Sequence, residues 1–216
     1  MKRYRTLLLA TLLPFVAALS GDAGTEADYP RVFRTFMPNS GPSAFAVELV
    51  PSLALCYDPL RGGVGEIWTG SVDLSPTLRA KINGTAMPRG EIIYLATLGH
   101  AFYVPTLVHP LRLGDPAAEP EYRFKGYRYE AGAIVFEFTL RGHPVSETLR
   151  ADEEGRGLVR ELAFPEGGGP AFLRVEKQVA AEVHVEGGAE VEPGLWRFPE
   201  GGKATVRILP KTPAAP

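Results

Sequence analysis

The residues of this chain that could do chemistry fall into three groups: four histidines, scattered carboxylates, and a run of tyrosines interleaved with cations. His100 and His109 share one irregular stretch with Tyr94 and Tyr103. Two imidazoles begin a zinc site, but such sites take at least three protein ligands. The third would have to be Glu91 or Asp115, at a separation the sequence does not specify. The plainer reading is a pair of loop histidines with local hydrogen bonds, so no metal and no cofactor is expected. His143 precedes a proline in a turn and His184 alternates with apolar residues, and neither points to catalysis. Glycoside cleavage requires two carboxyl groups about 5–10 Å apart. Asp58, Asp73, Glu137, Glu147 and Glu161 are of the right type, but Glu137 and Glu147 read more simply as solvent faces of strands. Tyr122, Tyr127 and Tyr129 lie among Arg123, Lys125 and Arg128. A sheet face carrying both kinds could stack on sugar rings or dock a protein, although single rings in such runs are commonly core. The candidate binding residues are therefore His100, Tyr103, His109, Arg123 and Tyr127; no catalytic residue is assigned.

Familiar signatures are missing from the sequence. It holds no Cys-x-x-Cys-His, His-Glu-x-x-His, Gly-x-Ser-x-Gly, P-loop or dinucleotide fingerprint. Gly63-Val64-Gly65 lacks the third glycine and the helix that phosphate binding needs, and reads as a turn.

The elements that must position any site are strands. Residues 122–130, 133–141, 144–151 and 158–164 form an antiparallel meander. Its clearest member puts Ile134, Phe136, Phe138 and Leu140 on one face and Val135, Glu137, Thr139 and Arg141 on the other. Ala131-Gly132, Gly142-His143-Pro144 and Asp152-Glu153-Glu154-Gly155 supply the turns. Upstream, residues 44–50, 53–57 and 66–74 read as a second meander, and 31–36 as an edge strand. Asn83-Gly84 marks a hairpin, and residues 77–120 form a long excursion suited to a binding or capping loop. Downstream, strands fall at 172–179, 182–186, 189–192, 195–198 and 204–209, with no helix of note. About eleven strands exceed what one open sheet carries comfortably, so the fold class is all-β: a large antiparallel β-sandwich, of the extended mutarotase-like supersandwich kind as one form.

Met1-Lys2-Arg3-Tyr4-Arg5, an apolar run from Leu7 to Leu19 and Ala18-Leu19-Ser20 have the pattern of a secretory signal peptide, residues 1–20. A flexible linker at 21–30, one domain at 31–209 and a flexible tail at 210–216 follow. The expected location is exported, periplasmic or secreted, with no stable membrane span after cleavage. Removing Lys2, Arg3 and Arg5 takes the net charge from −2 to −5, which disfavours nucleic acid. The single cysteine, Cys56, sits in an apolar strand and reads as a buried thiol.

Arg31-x-Phe33, Ser43-Ala44-Phe45-Ala46-Val47, Leu55-Cys56-Tyr57-Asp58 and residues 67–74 (Ile-Trp-Thr-Gly-Ser-Val-Asp-Leu), with 123–129 and Gly142-x-x-Val145-x-Glu147 further on, carry a resemblance. Together they resemble a β-rich domain of large exported bacterial proteins that also carry c-type cytochrome and quinoprotein sugar dehydrogenase-like domains. The resemblance implies an accessory role beside periplasmic redox or sugar-oxidising machinery, with a c-type cytochrome or sugar dehydrogenase as partner. The chain departs from that pattern in lacking a haem motif and in having Glu48-Leu49-Val50-Pro51 where the family has a glycine-containing turn. The expected function is a non-catalytic exported binding module for a protein or a carbohydrate. The alternative is a carbohydrate-active lyase or epimerase with its site in residues 77–120.

Overall fold

The computed structural model describes residues 28–41, 43–59, 62–79, 84–96 and 109–211. The expected signal peptide, the Asn83-Gly84 turn, part of the excursion at residues 77–120 and both His100 and Tyr103 lie wholly or partly outside them. The described chain is an all-β sandwich. Its first sheet has the order β1 (Arg31–Arg34), β2 (Phe45–Val50), β3 (Leu53–Asp58), β4 (Gly63–Thr69) and β7 (Ile92–Leu95). A two-stranded ribbon of β5 (Ser71–Asp73) and β6 (Met87–Arg89), with one helical turn, α1 (Ser75–Arg79), lies between β4 and β7 in the chain.

The second sheet has six strands. Four run as the meander expected: β9 (Tyr122–Glu130), β10 (Ala133–Leu140), β11 (His143–Ala151) and β12 (Leu158–Ala163). Beyond β12 the sheet continues through β17 (Lys203–Pro210) to β14 (Ala181–Glu186). A third sheet of β15 (Ala189–Glu192), β16 (Leu195–Phe198), β13 (Ala171–Arg174) and β8 (Leu111–Leu113) contributes Leu111, Leu113, Leu173 and Phe198 to the same core.

Alternation dictates which side chains meet. Ile134, Phe136, Phe138 and Leu140 face Phe45, Val47, Leu55 and Tyr57 across the sandwich in one buried cluster. The outer face of the first sheet is covered too. Ala46, Ala54, Cys56 and Trp68 pack with Met37 and Ala86, which is why β3 is buried at every position. Trp68 donates its indole N–H to the Ser71 carbonyl at 2.7 Å, so the largest ring there leaves no polar atom stranded.

Three local expectations are corrected. Gly63-Val64-Gly65 opens β4 rather than making a turn. His143 and Pro144 pair with Leu140 and Thr139, so the β10–β11 turn is Arg141-Gly142, both at positive φ (49° and 81°). Glu147 is 1% exposed instead of facing solvent.

Candidate functional site

Arg123 and Tyr127 do not share a face. Arg123 pairs with Thr139 and Tyr127 with Phe136, and the register slips between them because Lys125 is bulged out of the ladder. The tyrosines lie on the core-facing side of the sheet, where Tyr127 packs against Phe45 at 5.4 Å and Phe136 at 5.9 Å, but towards the end of the strand that side is uncovered and Tyr127 and Tyr129 remain exposed. The cations point outward, where Arg128 pairs with Glu130 and Glu137. The mixed aromatic and cationic face inferred from sequence is not formed. Arg123 lines an open depression of about 510 Å³ with Glu121, Tyr122 and Lys125.

His109 is 3% exposed, its ring centroid 4.5 Å from that of Tyr122 and 5.7 Å from that of Phe138. Burial, then the neighbouring Arg112 charge, lowers it to about 3, so the imidazole is neutral. Nδ1 accepts the Leu111 N–H at 3.1 Å, which places the proton on Nε2, an atom with no hydrogen-bond partner. A Cβ added to Gly62 would come within 1.6 Å of this ring, and Gly62 is at φ +77°. Gly62→Ala is expected to cost about 2 kcal/mol or more in urea unfolding, from the positive φ and the displaced imidazole together.

Residues 62–66 border a narrow cleft that is more enclosed than the open depressions elsewhere on the described surface. It is lined by Asp58, Glu66, Tyr94, Arg160, Arg174 and Glu176, among others, and has a volume of about 50 Å³. Its opening follows from a bulge. Cys56 pairs with Glu66 but Tyr57 pairs with Val64, leaving Gly65 unpaired, and the Gly65 carbonyl accepts the Ala96 N–H at 2.8 Å. Gly63 adds no side chain. A Cβ there would stand 3.5 Å from Nη2 of Arg160 and 3.7 Å from Oε2 of Glu147. Ala96 and Pro110, on either side of residues 97–108, both line the cleft.

Behind this wall lies a buried ion pair. Arg160 Nε and Nη2 each stand 2.7 Å from Glu147 Oε1, and Tyr57 donates its hydroxyl to Glu147 Oε2 at 3.2 Å while stacking on Phe136 at 3.6 Å. Burial alone would lower Arg160; the charge of Glu147, with smaller contributions from Tyr94 and Tyr57, reverses this and holds the guanidinium above its ordinary value. Burial and the Glu147 charge push the Tyr57 phenol well up, so it stays a donor.

Glu66 lacks such compensation. It is 2% exposed, and its Oε2 has no hydrogen-bond partner. Burial raises it to about 7, so it changes charge near neutrality. Among the described residues no three His, Cys, Asp or Glu side chains are grouped to hold a metal ion. Sequence reasoning passed over Glu66 and Arg160 and put Glu147 on a solvent face. The available signal was position: Glu147 shares its strand face with Val145 and Leu149, and Arg160 with Leu158 and Leu162, all buried.

Comparison with known proteins adds no relative: no family model, no curated protein and no solved structure matches the chain. What the fold and the cleft define is a β-sandwich with a narrow, charged seat at the glycine-rich start of β4.

Proposed function

We propose that the chain is an exported, non-catalytic binding module and that its ligand seat is the cleft beside residues 62–66. The observation that carries this is Glu66: a buried carboxyl lining the cleft with one oxygen unpartnered. Buried polar groups are nearly always satisfied, so an unpartnered carboxyl oxygen just behind a cleft wall is where a small shift of that wall would admit a donor, a water or a ligand head group. The volume limits what enters. About 50 Å³ holds roughly four waters, whereas sites for whole drug-sized ligands run to about 300–1,000 Å³. The seat therefore takes one polar head group, borne by a small molecule or by a larger partner. Accessory association with a c-type cytochrome or a sugar dehydrogenase draws its support from the sequence motifs.

The test is a ¹⁵N NMR titration of the full chain with methylammonium, formamide and acetate. At least one is expected to give saturable shifts in the amides of residues 62–66, and Glu66→Leu to abolish them. If none of the three moves those amides, the reading fails.

The lyase or epimerase reading places its site in residues 77–120, where His109 is buried and neutral and His100 and Tyr103 lie outside the described residues. The one group beside the cleft that would suit it is Glu66, which burial raises to about 7. The small volume counts against a sugar ring seated whole. Turnover of uronate-containing polysaccharide that disappears in Glu66→Gln would favour it over the binding reading.

A further inference from the structure

We propose that the chain self-associates through β14, whose outer edge pairs antiparallel with the same strand of a second copy about a two-fold axis at Val183. The ligand seat beside residues 62–66 takes no part. Hydrogen-bond register shows which groups that edge offers. Lys211 donates its N–H to the Ala180 carbonyl at 2.9 Å, and Phe164 donates to the Gly202 carbonyl at 3.0 Å. Bonding alternates along a strand, so β17 bonds β12 through Ala204, Val206 and Ile208 and bonds β14 through Thr205, Arg207 and Leu209. The backbone groups of Glu182, His184 and Glu186 therefore face β17. Those of Ala181, Val183 and Val185 point the other way. Among the described residues no strand pairs with β14 on that side. An open groove of about 430 Å³ borders it, walled in part by Val175, Val183, Val185 and Trp196.

Edge strands usually carry a device against such pairing. At the opposite edge of the same sheet, β9 has a bulge at Lys125 and the cations Arg123 and Arg128. β14 has no lysine, no proline and no bulge. Its side chains select a second copy as the partner. Pairing centred on Val183 sets Glu182 opposite the partner's His184 and, by symmetry, His184 opposite the partner's Glu182. On the inner face Ala181 meets the partner's Val185, and Val183 meets the partner's Val183. The neighbouring registers that keep the faces in phase, centred on Glu182 or on His184, each bring carboxylate against carboxylate. The groups beside His184 leave it available for this role. Glu182 of its own strand is 3.5 Å away and both side chains are more than half exposed. Arg207, opposite His184 on β17, is engaged by Glu186 at 3.4 Å. Val179, 93% exposed, lies just before the strand, which puts a bare apolar side chain at each end of the joint. The joint gains about six backbone hydrogen bonds but little area, so a weak dimer is expected, with a dissociation constant of about 10–100 µM.

The experiment is sedimentation velocity on the full chain up to about 500 µM, with amide hydrogen exchange on the same samples. A monomer–dimer equilibrium is expected. Exchange at Ala181, Val183 and Val185 should slow as concentration rises, while Glu182 and His184, already bonded to β17, should not change. Both substitutions that test the register fall on exposed side chains. Glu182→Lys sets cation against imidazole and should weaken the dimer about tenfold or more, and Glu182→Lys with His184→Glu should restore it, because lysine then faces glutamate. An imidazole takes up its proton between pH 8 and pH 6, so the wild-type dimer should tighten about fivefold over that interval and His184→Gln should lose the response. Val183→Pro removes only an outward N–H and should abolish pairing with the unfolding temperature showing the fold retained. A monomer at every concentration overturns the proposal. So does a dimer indifferent to both Glu182→Lys and Val183→Pro, which would be joined elsewhere. Tightening by Glu182→Lys, or a pH response that survives His184→Gln, overturns the register centred on Val183.

Discussion

Arg160→Met is expected to destabilise the protein by about 3–5 kcal/mol in urea unfolding at pH 7, among the largest effects of any single substitution. Arg160 and Glu147 are 8% and 2% exposed, so neither charge has water to fall back on. Removing the cation leaves a carboxylate buried against Phe136 and Tyr57, with a phenol as its remaining partner. Arg160→Met with Glu147→Leu should be much milder, because the desolvation cost of the pair disappears with its attraction. What the double variant still loses is the acceptor for Tyr57, about 1–2 kcal/mol for a buried hydroxyl left unpaired. Adding Tyr57→Phe should recover most of that. Equal destabilisation in the single and double variants would mean that the arginine acts through packing and not as the partner of Glu147.

These three residues also show what sequence could and could not reveal. The period-two rule that located β10 and β11 to within a residue places Glu147 between Val145 and Leu149 on the inward face. Its polarity argued for the opposite face, and burial as half of a pair resolves the conflict: Arg160 comes from a neighbouring strand, in line with Leu158 and Leu162. Glu66 needed a further fact, that both faces of the first sheet are covered, and this depends on Trp68, Met37 and Ala86 meeting over its outer side. The bulge at Lys125 carries no local marker except the glycine after it, yet it decides that Arg123 and Tyr127 diverge. The contact of Gly62 with His109 joins residues 47 positions apart, and nothing within either neighbourhood announces it. Strand existence is a local property of side-chain alternation, whereas the cleft is assembled by register and by long-range approach.

Two of the buried groups titrate in opposite senses, and their stability effects should cancel across mild acid. Burial lifts Glu66 from 4.5 to about 7, so between those values the native state keeps a proton that the unfolded chain has released. Stability from this group is full below 4.5 and falls by roughly 1.4 kcal/mol per unit as pH rises towards 7. His109 is lowered from 6.5 to about 3, so over that range the unfolded chain carries a proton that the core excludes. Its contribution is full above 6.5 and is lost at a similar rate as pH falls. The windows overlap from 4.5 to 6.5, where the two slopes oppose each other. Glu66→Gln is therefore expected to tilt the difference from wild type upward with pH, by about 3 kcal/mol across the overlap. His109→Asn, which keeps an acceptor for the Leu111 N–H, should tilt it downward by a similar amount, whatever constant penalty the lost ring packing adds. The double variant should restore the wild-type slope. Exposed carboxylates titrate alike in all four proteins and drop out of the differences, so urea unfolding at three pH values in the overlap reads the two buried groups alone. Parallel profiles for wild type and Glu66→Gln would show that Glu66 already has a partner in solution, and the seat beside residues 62–66 would then be filled without any ligand.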